Sequence, residues 1–131
     1  MKGNCLCGGI QYEISGPITE VAMCHCKQCR RAQGTAFATN APIARDRFTL
    51  LKGEHLIKEF MSNPDKARAF CSECGSPLYS RRVSNPDVLR LRVGLFEDES
   101  DIQPNYHIYY ASKAEWFDAA DALPKHDEMP L

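Results

Sequence analysis

Seven cysteines in a chain of 131 residues constrain this protein more than any other feature. They form three groups along the chain: Cys5 and Cys7, then Cys24, Cys26 and Cys29, then Cys71 and Cys74. In a reducing compartment, closely spaced thiols are typical of metal or redox chemistry, and an odd number of them cannot pair fully in disulfides. The sequence therefore predicts metal-binding cysteines rather than a disulfide framework.

The two pairs of cysteines predict one closed metal site. Two residues separate Cys71 from Cys74, so both thiols can reach one ion, and Gly75 permits the tight turn that follows. A short bulged turn at Cys5 and Cys7 brings a second pair of thiols to one side. Four thiolates around one ion are typical of structural zinc. Such a site would tie the N-terminal hairpin to the middle of the chain.

The remaining group, Cys24, Cys26 and Cys29, predicts an open zinc site. Three protein ligands leave the fourth position for water or substrate, as in catalytic zinc, and thiolates favour zinc over magnesium or calcium. These three cysteines are therefore the predicted catalytic group. His25 lies between two of them and would close the site as a fourth ligand. In an extended segment, however, it should point away, toward solvent or a substrate pocket.

The hydrophobic pattern predicts a mainly β, single-domain, antiparallel fold. Alternating apolar residues indicate strands in 8–15, 88–96 and 105–112, and two pairs of strands turning near Gly53 and around 71–77. The segment after the three-cysteine group predicts a short helix that ends at Gly34. Residues 118–131 are acidic and contain two prolines, so we expect a domain over 1–117 and an acidic C-terminal tail over 118–131.

Charge and hydropathy exclude several classes of function. The net charge is −1, so no global field attracts the chain to nucleic acid or to an anionic membrane. No apolar run approaches the roughly 20 residues of a membrane span. The N-terminal residues contain no apolar segment typical of a secretory signal. We therefore expect a cytoplasmic protein with no membrane partner.

The order of the motifs resembles a known family. GNCLCGGIQYEI, CHCKQCRRAQG, FCSECGSPL and GLFED, then a late histidine and SKAEW, are similar to the glutathione-dependent formaldehyde-activating enzymes, a family that includes centromere protein V. The similarity spans residues 3–117. It implies a zinc-stabilised β-tent fold and a carbon–sulfur lyase that condenses glutathione with formaldehyde to S-(hydroxymethyl)glutathione. It also implies structural zinc at Cys5, Cys7, Cys71 and Cys74, and a second, substrate-associated zinc at Cys24, Cys26 and Cys29.

Cations near the open site are the candidate glutathione-binding residues. Lys27, Arg30 and Arg31 would offset the negative charge of the three thiolates and pair with the carboxylates of the co-substrate. The remaining candidates are each open to a second interpretation. Four arginines are expected on polar strand faces, and four aromatic residues either line a pocket near the metal or pack in the core. These residues are Arg81, Arg82, Arg90 and Arg92, and His107, Tyr109, Tyr110 and Trp116.

The leading hypothesis is a zinc-dependent carbon–sulfur lyase or synthase acting on a glutathione adduct of formaldehyde or of a related small electrophile. A non-catalytic zinc module that binds a protein or nucleic acid is the alternative, although the charge balance disfavours nucleic acid. A third interpretation is a redox or metal sensor that releases zinc when Cys24, Cys26 and Cys29 are oxidised.

Overall fold

The structure is a computed structural model that describes residues 1–129 of the chain. Within those residues the chain forms ten strands, one helix and four short 3-10 turns. The helix, α1, spans Lys27–Gln33. The strands are β1 Lys2–Asn4, β2 Gln11–Ile14, β3 Ala22–Cys24, β4 Ala38–Ala44, β5 Phe48–Lys52, β6 Ile57–Asn63, β7 Lys66–Cys71, β8 Pro77–Arg82, β9 Asn85–Arg92 and β10 Tyr106–Ile108.

The strands form two sheets. One has three strands in the order β1-β2-β5, and the other has seven in the order β10-β3-β4-β9-β8-β7-β6. All strand pairs are antiparallel except β10 with β3, which is parallel. The predicted mainly β fold with a short helix after the three-cysteine group is confirmed, and the larger sheet is mixed at one edge.

The main core lies between the two sheets. Tyr12 and Ile14 of β2 pack against Ile43 of β4 and Leu89 and Leu91 of β9. The alternation of the sequence produces this arrangement, because successive side chains of a strand point to opposite faces of its sheet. A single bridge between Gly3 and Phe96 also connects the N-terminal strand to the turn after β9.

Helix α1 has a cap at each end. Cys26 precedes it with extended backbone angles, and the thiol sulfur of Cys26 accepts a hydrogen bond from the backbone N–H of Cys29 at 3.3 Å. Gly34 ends the helix in the left-handed conformation, with φ of 66°, and donates its N–H to the carbonyl of Arg30 at 2.8 Å. This glycine cap is the feature that terminates the helix at the predicted residue.

Several strands differ from the prediction. The predicted strand over 105–112 ends at Ile108, because Tyr109 adopts a left-handed conformation with φ of 53° and a 3-10 turn follows. The predicted strand over 88–96 begins earlier and ends at Arg92. The central strand β4 was missed, because its alanines, Asn40 and Pro42 have weak strand propensity and no clear alternation.

Residues 118–129, the last that the structure describes, have little contact with the sheets. Phe117 packs against the ring of His25, whereas residues 118–129 are exposed. The last two residues of the predicted acidic tail, 130 and 131, lie outside the described residues. The division of the chain at residue 117 stays a prediction. None of the helices among residues 1–129 is long and apolar enough to cross a membrane.

Candidate metal centres and active site

Four cysteines from distant parts of the chain meet at one end of the molecule. Cys5 and Cys7 follow β1, Cys71 ends β7, and Cys74 lies in the turn before β8. Their sulfur atoms lie within 4.8 Å of one another, with 3.5 Å between Cys5 and Cys7 and 3.8 Å between Cys7 and Cys71. A tetrahedron with Zn–S bonds of about 2.3 Å has sulfur atoms about 3.8 Å apart. This four-cysteine cluster therefore fits one zinc ion.

Local hydrogen bonds hold these thiols in place. The backbone N–H of Ile10 donates to the sulfur of Cys5 at 3.3 Å, and the turn after Cys71 closes with a 2.8 Å bond from the N–H of Gly75. The side chain of Ser76 lies 3.3 Å from the sulfur of Cys74 and lowers the pKa of that thiol to about 5. Hydrogen bonds to a thiolate favour the charged form that binds metal.

The second group of cysteines lies where β3 meets α1. Cys24 ends the strand, Cys26 caps the helix, and Cys29 lies in its first turn, so one sharp bend brings the three sulfur atoms within 4.8 Å of one another. In the described part of the chain, no histidine or carboxylate joins this three-cysteine cluster. The donors therefore fit zinc and leave a fourth coordination position for another ligand.

A buried arginine contacts the three-cysteine cluster from the sheet. Arg68 of β7 is 8% exposed, and its two terminal nitrogens lie 3.8 and 3.9 Å from the sulfur of Cys29. The neighbouring thiols of Cys24 and Cys26, together with Arg68, hold the pKa of Cys29 well below its usual range, against the opposing effect of burial. Among these causes, the hydrogen bond with Cys24 is the largest. Cys29 is thus the thiol of this cluster most strongly held as a thiolate.

A cavity of about 520 Å³ opens over the three-cysteine cluster. Its walls also carry four basic side chains, and no aspartate or glutamate lines it in the part of the chain that the structure describes. Burial lowers the pKa of one of them, Lys66. The four basic residues are Lys27, Lys66, Arg82 and Arg90. We call this space the cysteine cavity; its charge suits an anionic ligand.

The three predicted glutathione-binding cations occupy two different places. Lys27 lines the cysteine cavity. Arg30 and Arg31 line a separate groove of about 240 Å³, which Lys27 also borders and in which Trp116 forms one side. Arg30 donates a 2.8 Å hydrogen bond to the carbonyl of Ser112. The helix turns these two arginines away from the three thiols.

The expectation of a polar strand face is wrong for Arg92, which is buried, whereas the side chain of Arg82 is 43% exposed. Arg82 and Arg90 line the cysteine cavity, and Arg92 is only 4% exposed. Arg81 does face outward, where it pairs with Glu59 at 2.6 Å. The reason is that α1 packs over this face of the large sheet. It covers residues that the alternating pattern of the strands predicts to face solvent. The signal in the sequence is a repeat of basic residues two apart, at 66 and 68 and at 90 and 92.

His25 is buried, so of the two predicted surroundings, solvent or a substrate pocket, the solvent-facing one is wrong. It is 0% exposed, its Nε2 atom lies 2.7 Å from Nδ1 of His107, and it does not belong to the metal-binding group. The rings of Phe37, Tyr110 and Phe117 surround it at centroid distances of 5.2, 5.1 and 5.4 Å. As expected for an extended segment, His25 points away from the thiols, into an aromatic core behind them.

The remaining aromatic candidates also lie in different places. Tyr109 lines the cysteine cavity, while His107 and Tyr110 belong to the aromatic core around His25. Trp116 is 73% exposed and borders the groove with Arg31. Only Tyr109 of this group therefore lies where a ligand over the three-cysteine cluster would meet it.

Comparison with known proteins agrees with this architecture. A crystal structure of a Rhodobacter sphaeroides protein superposes with a TM-score of 0.66 at 24% sequence identity, covering 82% of this chain and 99% of that chain. At this identity the similarity supports the fold alone. The family model of the glutathione-dependent formaldehyde-activating enzymes matches residues 1–112, which include both cysteine clusters and all of the residues that line the cysteine cavity. The chain therefore belongs to the glutathione-dependent formaldehyde-activating enzyme family.

Proposed function

We propose that this protein is a zinc-dependent carbon–sulfur lyase that binds glutathione in the cysteine cavity and joins its sulfur to formaldehyde or to a related small aldehyde. The observation that carries the proposal is the combination of three clustered thiols with a basic cavity directly over them. Family membership supports the same reaction class. The cytoplasmic location stays a prediction.

The two clusters would have different roles. Cys5, Cys7, Cys71 and Cys74 would hold a structural ion, because four thiolates complete its coordination. Cys24, Cys26 and Cys29 would hold a second ion with one open position. When bound there, zinc supplies a Lewis acid that favours the thiolate form of a ligand thiol.

The basic wall of the cysteine cavity would bind and orient glutathione. At neutral pH glutathione carries two carboxylates and one ammonium, and its thiolate adds another negative charge. Lys27, Lys66 and Arg90 line the cavity, and no carboxylate lies within 4.0 Å of their charged groups among the described residues. Their hydrogen-bonding capacity is free for a ligand. A volume of about 520 Å³ falls in the usual range for small-molecule sites.

The reaction forms one carbon–sulfur bond and moves one proton from sulfur to oxygen. The sulfur of glutathione attacks the carbonyl carbon of formaldehyde, the carbon–sulfur bond forms, and the π electrons of the carbonyl group move to its oxygen. That oxygen takes up the proton that the thiol released, so the adduct contains all atoms of both reactants. Lys66 lines the cavity and burial lowers its pKa, which makes it the lining amine best suited to exchange this proton. Holding the two reactants together in the cavity lowers the activation barrier further, because the entropy cost of bringing them together is met by binding.

The test is the rate of adduct formation, measured by exchange NMR with carbon-13 formaldehyde and glutathione. We expect the zinc-loaded protein to accelerate the exchange above the uncatalysed reaction. Arg90→Ala should raise the KM for glutathione about tenfold, because it removes a charge-assisted hydrogen bond in the cavity. Arg31→Ala removes the same charge from the neighbouring groove and should change the KM less than about twofold.

Three outcomes would contradict the proposal. The first is no acceleration by protein that contains two zinc ions per chain. The second is salt-sensitive retention of nucleic acid by the same preparation without turnover, which would support the non-catalytic zinc module. Equal effects of Arg90→Ala and Arg31→Ala would place glutathione outside the cysteine cavity.

A further inference from the structure

A second cavity, of about 320 Å³, lies on the large sheet beside the C-terminal end of α1. None of the residues that line it lines the cysteine cavity. Its walls are largely apolar, with Phe60, Phe70, Pro77 and Tyr79 among them, and two arginines, Arg68 and Arg92, complete the lining. We call this space the apolar cavity. Phe60 is 63% exposed, so the cavity has an apolar rim that the rest of the chain leaves uncovered.

Arg92 is a buried cation without a charged partner in the described chain. It is 4% exposed, and its hydrogen bonds go only to neutral oxygens, those of the Asn40 side chain and the Arg90 carbonyl. Its Nε atom is buried and has no hydrogen-bond partner. A buried guanidinium is costly unless it is paired and hydrogen-bonded. The thiols of Cys24 and Cys29 favour the charged form of Arg92 from a distance, but no carboxylate lies within 4.0 Å of its guanidinium among the described residues.

Arg68 separates the two cavities. One side of its guanidinium lies 3.8 Å from the sulfur of Cys29 and 3.5 Å from the side-chain oxygen of Gln28, and both residues line the cysteine cavity. Arg68 itself lines the apolar cavity. An anion that enters the apolar cavity would therefore lie beside the side chains of two arginines, one of which already contacts the three-cysteine cluster.

We propose that the apolar cavity is a binding site for a small carboxylate with an apolar tail. The carboxylate pairs with Arg92 and Arg68, and the tail packs against Phe60, Phe70 and Tyr79. Charge complementarity and the apolar walls together favour this class over a neutral apolar molecule or a small inorganic anion. The site is distinct from the cysteine cavity, and the proposal does not depend on the reaction proposed above.

The probe is 3-phenylpropionate, titrated into the full-length, metal-loaded protein and followed by calorimetry and by amide chemical shifts. We expect saturable binding with shifts at β6, β7 and β8. The amide of the same acid keeps the apolar tail but loses the charge, and should bind about tenfold more weakly. Acetate keeps the charge but loses the tail, and should also bind at least about tenfold more weakly.

Two neighbouring residues of β6 provide a matched pair of variants. Phe60→Ala removes part of the apolar wall and should weaken binding of 3-phenylpropionate about tenfold. Met61 is 46% exposed and does not line the cavity, so Met61→Ala should change the affinity less than about twofold. Arg92→Gln should abolish the preference for the acid over its amide. If this variant does not fold, the Phe60 and Met61 pair and the comparison of ligands still test the site.

Three results would overturn the inference. One is equal affinity for the acid and the amide, which would mean that the buried arginines do not take part. Another is equal effects of Phe60→Ala and Met61→Ala. The third is a dimer in sedimentation that Phe60→Ala dissociates, since the apolar rim would then be a contact with a second copy of this chain.

Discussion

Arg68 is the residue whose position most affects the candidate active site. It sits on β7 between the buried alanines Ala67 and Ala69 and extends across the sheet to Cys29. Three thiolates and one zinc ion carry a net charge of −1, and a buried charge needs a partner. With zinc bound, the guanidinium of Arg68 would supply that partner, and its N–H donors would orient the thiolate of Cys29 as other outer-shell partners do.

We predict that Arg68→Gln weakens metal binding at the three-cysteine cluster by about 10- to 100-fold, the usual effect of removing an outer-shell partner. The four-cysteine cluster does not contact Arg68 and serves as an internal control. The measurement is competition with a chelator, in which the zinc ions that each chain retains are counted. One ion should therefore be lost early and the other retained.

Arg81→Gln provides the matched control for this charge change. Arg81 pairs with Glu59 at the surface, and its side-chain hydrogen bonds go to Glu59 rather than to a thiol. We expect its zinc retention to equal that of the unchanged protein. Unaltered retention in Arg68→Gln would show that the guanidinium does not support the ion.

At the scale of elements, α1 determines what the large sheet exposes. The helix has only seven residues, so its own hydrogen bonds are too few to make it stable in isolation. Its two caps and the packing of Cys29 in the apolar cluster with Cys24 and Ala38 hold it in place. Its position in turn buries the cations beneath it.

We predict that Gly34→Ala lowers the stability of the fold by about 1 kcal/mol, because alanine is strained at the φ of 66° that ends the helix. Chemical denaturation followed by circular dichroism measures the change. Gly94→Ala is the control, because Gly94 has an ordinary φ and no atom within 4 Å of the added Cβ. A loss in Gly94→Ala as large as in Gly34→Ala would contradict this explanation.

The elements differ in how well local patterns predicted them. The antiparallel pair β7 and β8 was predicted, because apolar alternation and a tight turn are local signals. The strands on either side of Gly53 were also predicted, but they do not pair with each other, since β5 pairs with β2 and β6 with β7 in different sheets. Strands β3 and β4 were not predicted, since each depends on partners distant in the sequence. The edge strand β10 was predicted too long, because the local pattern does not show the left-handed backbone at Tyr109.

At the scale of the whole molecule, the four-cysteine cluster joins the N-terminal part of the small sheet to the large one. Cys5 and Cys7 follow a strand of the three-stranded sheet, whereas Cys71 and Cys74 flank a turn of the seven-stranded sheet. An ion bound there closes a loop of more than 60 residues, as the 64-residue separation of Cys7 from Cys71 shows. Such a link restricts the unfolded chain more than the folded one.

We predict that losing a ligand of this cluster destabilises the protein more than losing a ligand of the other. Cys7→Ser should lower the melting temperature by about 10 °C, since structural zinc contributes directly to folding. Cys26→Ser should lower it by no more than about 3 °C, because serine is itself a good helix N-cap and replaces the capping role of Cys26.

Thermal unfolding of the two variants and of the parent protein, with equal free zinc, checks this prediction. Removal of the more weakly held ion by a chelator should likewise leave the melting temperature nearly unchanged. A larger shift for Cys26→Ser than for Cys7→Ser would mean that the structural and open roles of the two clusters are reversed.

The sequence by itself determined the metal-binding groups, the helix and the class of fold. Ligand spacing such as that of Cys71 and Cys74, the cap at Gly34 and the alternation in β2 and β9 are all local, and each follows from backbone geometry. The tertiary structure decided which cations face the three-cysteine cluster and where His25 lies. A strand pattern shows which side chains share a face, and what covers that face depends on long-range packing. That is why only the folded chain reveals that Arg68, Arg90 and Arg92 lie beside the two cavities.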